Sequence, residues 1–226
     1  MLFAFDCDGV LVDSEIIASE VDAAMLTEVG YKITADEVSR RFAGLTSQAI
    51  HDMVEKEIGR SLPVDFLGRQ KAELDRRLAR DLKAVAGVDE MLDRIVEPRC
   101  ICSNSSNERL TIELNKVGLM DRFAPHIFSA VEVGDRQPKP APNVYAYAAK
   151  AFDMNPRAVL VQEDSEFGVA AAKAAGTRVI GFTGGRHTWP GHADLLIEAG
   201  AETVIKRFAD LPGIAEALMA WEGMDK

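Results

Sequence analysis

Leu2-Phe3-Ala4-Phe5-Asp6-Cys7-Asp8-Gly9-Val10-Leu11-Val12-Asp13-Ser14-Glu15 opens the chain, and its reading decides the fold. The first four residues form a short unbroken apolar run. Such a run reads as a strand buried on both faces, the kind found in parallel sheets. Three more runs share that character, over residues 99–102, 158–161 and 178–182. Each is followed by polar or glycine-containing residues and then by a helical pattern. Leu110, Leu114 and Val117 fall at helical spacing, with Gly118 as the stop. An alanine-rich helix follows the third run and stops at Gly176. Strands alternating with helices predict an α/β domain built on a Rossmann-like parallel sheet.

Residues 15–82 differ. They carry helical periodicity and no convincing strand. Ile16, Ile17, Val21 and Met25 give one apolar face, closed by Gly30. Ile50, Met53, Val54 and Ile58 give another, closed by Gly59, and residues 66–82 a third, rich in Arg and Lys. The expected organisation is a core of residues 1–14 and 83–226, with 15–82 inserted as a helical cap. Open α/β sheets bind ligands at the carboxyl ends of their strands, so a cap leaving the first strand covers that place.

The chemistry begins with Asp6 and Asp8. Two carboxylates two residues apart at the end of a buried strand repel each other and lose hydration. A site that keeps both needs a shared proton or a cation, and Mg²⁺ suits oxygen ligands. Alone, such a pair is more often a solvated turn. The partners downstream change that. The second strand ends in Ser103-Asn104-Ser105, a hydroxyl and backbone N–H groups entering a helix, which suits an anion. Lys139 stands in Lys139-Pro140-Ala141-Pro142, where the prolines fix the local backbone. The third strand ends in Gln162-Glu163-Asp164-Ser165, a second acidic pair; Asp164 or Ser165 would also serve as a helix N-cap. A nucleophile, a second carboxylate, a hydroxyl, a lysine and a metal-binding pair on one face of one sheet describe phosphoryl transfer.

In these four stretches, taken in order, the chain resembles the haloacid dehalogenase (HAD) superfamily, on its phosphatase side. Within it the resemblance is to the branch holding the β-phosphoglucomutases and the 6-phosphogluconate phosphatases, from Phe5-Asp6-Cys7-Asp8-Gly9, Arg41-Phe42-Ala43-Gly44 and Cys102-Ser103-Asn104. The resemblance implies that Asp6 is the nucleophile and a metal ligand. It makes Asp8 the general acid/base, with its backbone carbonyl on the metal. Ser103 and Asn104 hold the phosphate, and Lys139 bridges phosphate and nucleophile. Asp164 binds the metal, and Glu163 does so directly or through water. Gly44 and Ser47, in the cap loop, are expected at the substrate. The implied activity is Mg²⁺-dependent hydrolysis of small phosphorylated metabolites through an aspartyl-phosphate. Sugar phosphates are the expected class, with 6-phosphogluconate among them. The mutases carry a histidine where this chain has Ala18, and a cap arginine where it has Ser47. Both departures favour hydrolysis over phosphomutase activity. A metal-independent dehalogenase would not need Asp8 or the Glu163–Asp164 pair.

Other features are read more plainly. The net charge of -10, from 36 acidic and 26 basic side chains, argues against a nucleic-acid partner. Cys100 and Cys102 alternate along a strand and read as core, and three cysteines make no disulfide framework. No signal peptide and no bilayer-spanning stretch is evident, so a cytoplasmic protein without a membrane partner is expected, with a monomer plausible. His51, His126, His187 and His192 show no ligand spacing and read as surface or packing residues. Arg69, Lys71, Arg76 and Arg77 read as a solvated face, with contact to an acidic substrate as the sharper alternative.

Overall fold

The computed structural model describes residues 1–43 and 45–221. In chain order its elements are β1 (Leu2–Phe5), α1 (Ser14–Glu28), α2 (Ala35–Arg41), α3 (Ser47–Ile58), α4 (Phe66–Asp81) and α5 (Val88–Arg94). Then come β2 (Arg99–Ser103), α6 (Asn107–Val117), α7 (Met120–Phe123), β3 (Ile127–Ser129), α8 (Asn143–Ala151) and β4 (Val159–Glu163). The chain closes with α9 (Glu166–Ala174), β5 (Arg178–Phe182), α10 (His192–Ala199), β6 (Thr203–Ile205) and α11 (Leu211–Trp221).

The six strands form one sheet in the order β3-β2-β1-β4-β5-β6, and every pairing is parallel. Two strands run outward on one side of β1, and the chain then returns to its other side with β4. That reversal beside β1 makes a crevice at the strand ends, where such sheets take their ligands. The register levels those ends: Phe5 lies beside Ile101 of β2 and Gln162 of β4. Asp6, Ser103 and Glu163 therefore leave the sheet at one edge.

Alternation along the strands supplies two cores. Phe3, Phe5, Ile101, Leu160 and Ile180 pack against Met91 of α5, Leu110 and Leu114 of α6 and Leu211 of α11. On the opposite face Leu2, Ala4, Cys100, Cys102, Val159 and Val161 pack against α8, α9 and α10. The Sγ atoms of Cys100 and Cys102 lie 3.9 Å apart in that second core, as small apolar fillers. Truncating Phe5, which has no exposed surface, to alanine should cost about 3–5 kcal/mol. A third cluster sits between α1 and α4 and joins Val21, Leu26, Val38, Phe42, Ile50, Val54 and Phe66. Ile16 and Ile17, earlier in α1, pack instead into the first core.

Helix ends follow capping chemistry. Ser106 accepts from Arg109 N–H and Gly118 turns left-handed to close α6. Thr34 and Glu37 form a reciprocal capping box on α2. At α9 the cap is Ser165, which accepts from Gly168 N–H at 3.0 Å and frees Asp164 from that task. Among the described residues no helix is long and apolar enough to cross a membrane.

Candidate active site

Asp6 follows β1 and is buried, and its Oδ1 accepts a hydrogen bond from Lys139 Nζ at 2.6 Å. The ammonium gives its other two hydrogens to Cys102 O (2.8 Å) and Glu163 Oε1 (2.5 Å). Lysine 139 is thus fully satisfied and fixed. Its backbone N–H donates to Asn104 Oδ1 at 2.8 Å, which ties the proline-rich loop to the end of β2. Glu163 is fully buried and saturated. Its Oε1 also accepts from Tyr145 Oη (2.5 Å), and its Oε2 accepts from the Ser165 N–H (3.3 Å) and hydroxyl (3.1 Å). The α9 chain passes so close that a Cβ on Gly168 would stand 1.9 Å from the Glu163 carboxyl carbon.

Charge in this corner is unbalanced. Burial pushes the Asp6 carboxyl well up; Lys139 pulls against it, while Glu163, Asp164 and Asp8 push further. Burial opposes the charge on Lys139, but Asp6 and Glu163 overcome it and hold the ammonium protonated.

Asp8 is treated differently. Ser14 Oγ donates to its Oδ1 at 2.6 Å, and Ser105 Oγ (2.8 Å) and Ser103 Oγ (3.2 Å) donate to its Oδ2. Arg109 Nη2 lies 4.0 Å from Oδ1. Burial alone would raise this carboxyl; the Arg109 charge and the three hydroxyls outweigh it and bring it below the ordinary range. Arg109 is held from behind by Glu113, whose Oε1 accepts from its Nε at 2.8 Å. Glu113 is buried with its Oε2 unpaired, and burial with the Asp8 charge pushes its carboxyl up to about 8.

Asp6, Glu163 and Asp164 each bring a carboxylate oxygen within 4.8 Å of the others. Asp164 Oδ2 accepts from His187 Nε2 at 2.8 Å. Burial disfavours the imidazolium, but Asp164 outweighs it and raises the His187 pKa. Gly9 is left-handed at φ 77°, and a Cβ there would stand 1.9 Å from Asp164 Oδ2. Only glycine lets the turn after β1 pass under that carboxylate. This donor set fits a hard divalent cation. It is all carboxylate oxygen, and its three acids face one lysine already in contact with two of them.

Above these groups lies a cavity of about 650 Å³, within the range of small-molecule sites. Asp6, Asp8, Ser103, Asn104, Lys139 and Asp164 line its floor, and α1, α2 and the loop before α3 line its roof.

A model of the haloacid dehalogenase-like hydrolases matches residues 3–182. The chain belongs to that family. Among the relatives of this HAD hydrolase is the 6-phosphogluconate phosphatase of Escherichia coli K12. The two are 32% identical over 187 residues, which cover 82% of this chain and 84% of that protein. A conserved haloacid dehalogenase-like protein of Agrobacterium tumefaciens has a solved structure with a TM-score of 0.93 at 51% identity, covering 96% of this chain and 98% of the other. A HAD family hydrolase of Deinococcus radiodurans, solved with bound phosphate and sodium, gives 0.84 at 31% identity over 96% and 95%.

Of the residues singled out from the sequence, Asp6, Asp8, Ser47, Ser103, Asn104, Lys139 and Asp164 line this cavity of the HAD hydrolase, with Ala18. Glu163 lies beneath it, spent on Lys139. Gly44 lies outside the described residues. Arg69, Lys71, Arg76 and Arg77 of α4 form the charged face read from the sequence: they meet Glu28, Asp75, Glu73 and Glu20 with Asp81, and the sharper alternative fails because none of them lines the cavity. Their sequence neighbours supplied the partners, since most of these pairs are three or four residues apart. Of the histidines read as surface or packing residues, His187 and His192 are buried and line the cavity, and His192 stacks on Trp189 at 4.1 Å. Arg109 and Ser14 carry no role in the sequence reading, and Ser105, expected at the anion, donates instead to Asp8. The sequence signals were the Arg109–Glu113 spacing on a helix entered from Ser103-Asn104-Ser105, and the Gly184-Gly185 pair before His187. A Cβ on Gly185 would stand 2.7 Å from Gly9 O, so that pair marks a close approach.

Proposed function

We propose that this HAD hydrolase is a Mg²⁺-dependent phosphatase of small phosphorylated metabolites, sugar phosphates above all, acting through an aspartyl-phosphate on Asp6. The single observation that carries the reading is Lys139 Nζ clamped between Asp6 and Glu163, 2.6 and 2.5 Å away. The clamp orients a carboxylate oxygen at the crevice and places a fixed positive charge beside it.

In this reading Asp6 attacks phosphorus and the ester oxygen leaves. Lys139 offsets the charge on the transferring group. Ser103 Oγ turns from Asp8 to a phosphate oxygen, with the Asn104 backbone beside it. Asp8 gives a proton to the departing alkoxide and later takes one from the attacking water. The hydroxyls around it fit the second role in the resting enzyme, since three hydroxyls donating to it favour the carboxylate. Asp6, Asp164 and the Asp8 carbonyl would hold the cation, which supplies charge neutralisation at the phosphoryl oxygens. Glu163 acts by positioning Lys139.

Residues 15–82 act as the cap in this reading, over a core of 1–14 and 83–226. Their separate apolar cluster supports that division. Ala18 in the cavity has no proton to relay, which speaks for hydrolysis over mutase chemistry. The test is a screen of phosphorylated metabolites in Mg²⁺ for phosphate release, with 6-phosphogluconate, hexose phosphates and phosphoglycolate included. Release from sugar phosphates supports the reading; none from any phosphate ester rejects it.

A further inference from the structure

The cap holds buried polar side chains that the reaction at Asp6 does not use. Ser19, Asp22, Ser39 and Gln70 are each 8% exposed or less. Their neighbours are the apolar residues of the cap cluster, Val21, Val38, Ile50 and Phe66 among them. Placing polar groups in such a core costs free energy unless each is hydrogen-bonded. Ser39 Oγ donates to Ser19 Oγ at 2.8 Å, across the contact of α1 with α2. Beyond that bond the two hydroxyls keep one hydrogen and three lone-pair sites. Asp22 Oδ1 accepts from Gln70 Nε2 of α4. Its other oxygen takes no hydrogen bond among the described residues.

These groups face the substrate cavity. Ser19, Asp22 and Ser39 all line it, while Gln70 braces Asp22 from behind. Glu15, Ala18, Ser19 and Asp22 line it from one helix, α1, at positions i, i+3, i+4 and i+7. That spacing is one continuous helical stripe. Its lower end adjoins the reacting groups, since Ser14 donates to Asp8. From Glu15 to Asp22 the stripe climbs about 10 Å along the helix axis. A phosphate ester held over Asp6 would extend its carbon chain along this stripe. An alkyl chain would leave the Asp22 oxygen and the Ser19–Ser39 pair unsatisfied. A hydroxylated chain would satisfy them: its hydroxyls donate to a carboxylate and exchange with two serines.

We propose that Ser19, Ser39 and Asp22 form a hydroxyl-recognition patch that selects polyhydroxylated phosphate esters. This rests on the phosphatase reading and narrows its substrate class. The patch acts on specificity and does not touch the reacting atoms.

The experiment compares sorbitol 6-phosphate with hexyl phosphate, which has the same chain length and no hydroxyls. Rates are measured in Mg²⁺ for the wild type, Asp22→Asn and Ser39→Ala. Wild-type kcat/KM should favour the polyol ester by about tenfold or more. Asp22→Asn keeps the shape of the side chain. It should lose about tenfold on the polyol ester, mainly through KM, and change hexyl phosphate by less than about twofold. Ser39→Ala should act the same way more weakly. A wild type without the preference overturns the patch whatever the variants do. So does a preference that survives both substitutions, or equal losses on both esters. In each of those cases hydrolysis itself persists and the phosphatase reading stands. No release from either ester, or from 4-nitrophenyl phosphate, overturns both.

Discussion

Lys139 Nζ sits 2.6 Å from Asp6 Oδ1, although the two residues are 133 positions apart in the chain. The contact joins the end of β1 to the loop before α8, and Glu163 completes it from the end of β4. Lys139→Ala leaves Asp6 and Glu163 buried together without their counter-charge. Phosphatase kcat should fall by about a hundredfold or more. A loss below about fivefold would place Lys139 outside the chemistry. Turnover by Lys139→Ala against 4-nitrophenyl phosphate in saturating Mg²⁺ is the measurement.

Gly9 makes a sharper steric prediction. Alanine there would need a left-handed backbone and a methyl group 1.9 Å from Asp164 Oδ2 and 2.8 Å from the His187 ring. Asp164 must move, and with it one carboxylate of the proposed cation site. Gly9→Ala should bind Mg²⁺ more weakly, seen as a rise in the Mg²⁺ concentration giving half-maximal activity. An unchanged Mg²⁺ requirement in a folded variant would separate Asp164 from the cation.

Ser14 donates to Asp8 at 2.6 Å and helps hold its carboxyl below the ordinary range. Removing a donor to the charged form raises a pKa. In Ser14→Ala the Asp8 carboxyl should keep its proton to higher pH. The alkaline limb of kcat/KM for a sugar phosphate, which needs that proton on its leaving group, should shift upward. The same limb for 4-nitrophenyl phosphate should move less. A downward shift would contradict the assigned proton transfer.

Glu113 links charge to stability. Its carboxyl rises from 4.5 to about 8 on folding, chiefly through burial and Asp8. The unfolded chain ionises it first, so wild-type stability falls as pH climbs from about 4.5 to 8. Glu113→Gln keeps an oxygen for Arg109 Nε and removes the ionisation. Its melting temperature relative to wild type should improve between pH 5 and pH 8. A constant difference across that range would show that Glu113 does not titrate there.

Much of this was readable from the sequence, for physical reasons. Buried parallel strands are continuous apolar runs, so β1, β2, β4 and β5 stood out. Helix α6 was bounded by its own periodicity and by Gly118. The edge strands β3 and β6 have three residues each, too few for a pattern to build. The charged groups at the strand ends were legible because a β1 that ends in Asp6 needs partners, and Ser103, Lys139 and Asp164 supplied them. Arg109 and His187 were not. Each acts across elements, Arg109 from α6 onto the β1 loop and His187 from the loop after β5 onto Asp164. Only the strand order brings them together. Residues 15–82 were legible as helices, but which of their polar side chains face the cavity was not. Ser19 and Asp22 look like solvent-facing residues until α2 and α4 are laid over them.

The central claim is that Asp6 takes the phosphoryl group. Asp8→Ala should still be phosphorylated by 4-nitrophenyl phosphate, whose leaving group hardly needs a proton, yet it should be slow to activate water. Intact mass spectrometry of that variant, mixed with 4-nitrophenyl phosphate and Mg²⁺, should show one added phosphoryl group. The group should be lost to hydroxylamine, map to Asp6, and be absent in EDTA and in the Asp6→Asn variant. An adduct that forms on Asp6→Asn, or full turnover in EDTA, would contradict the account.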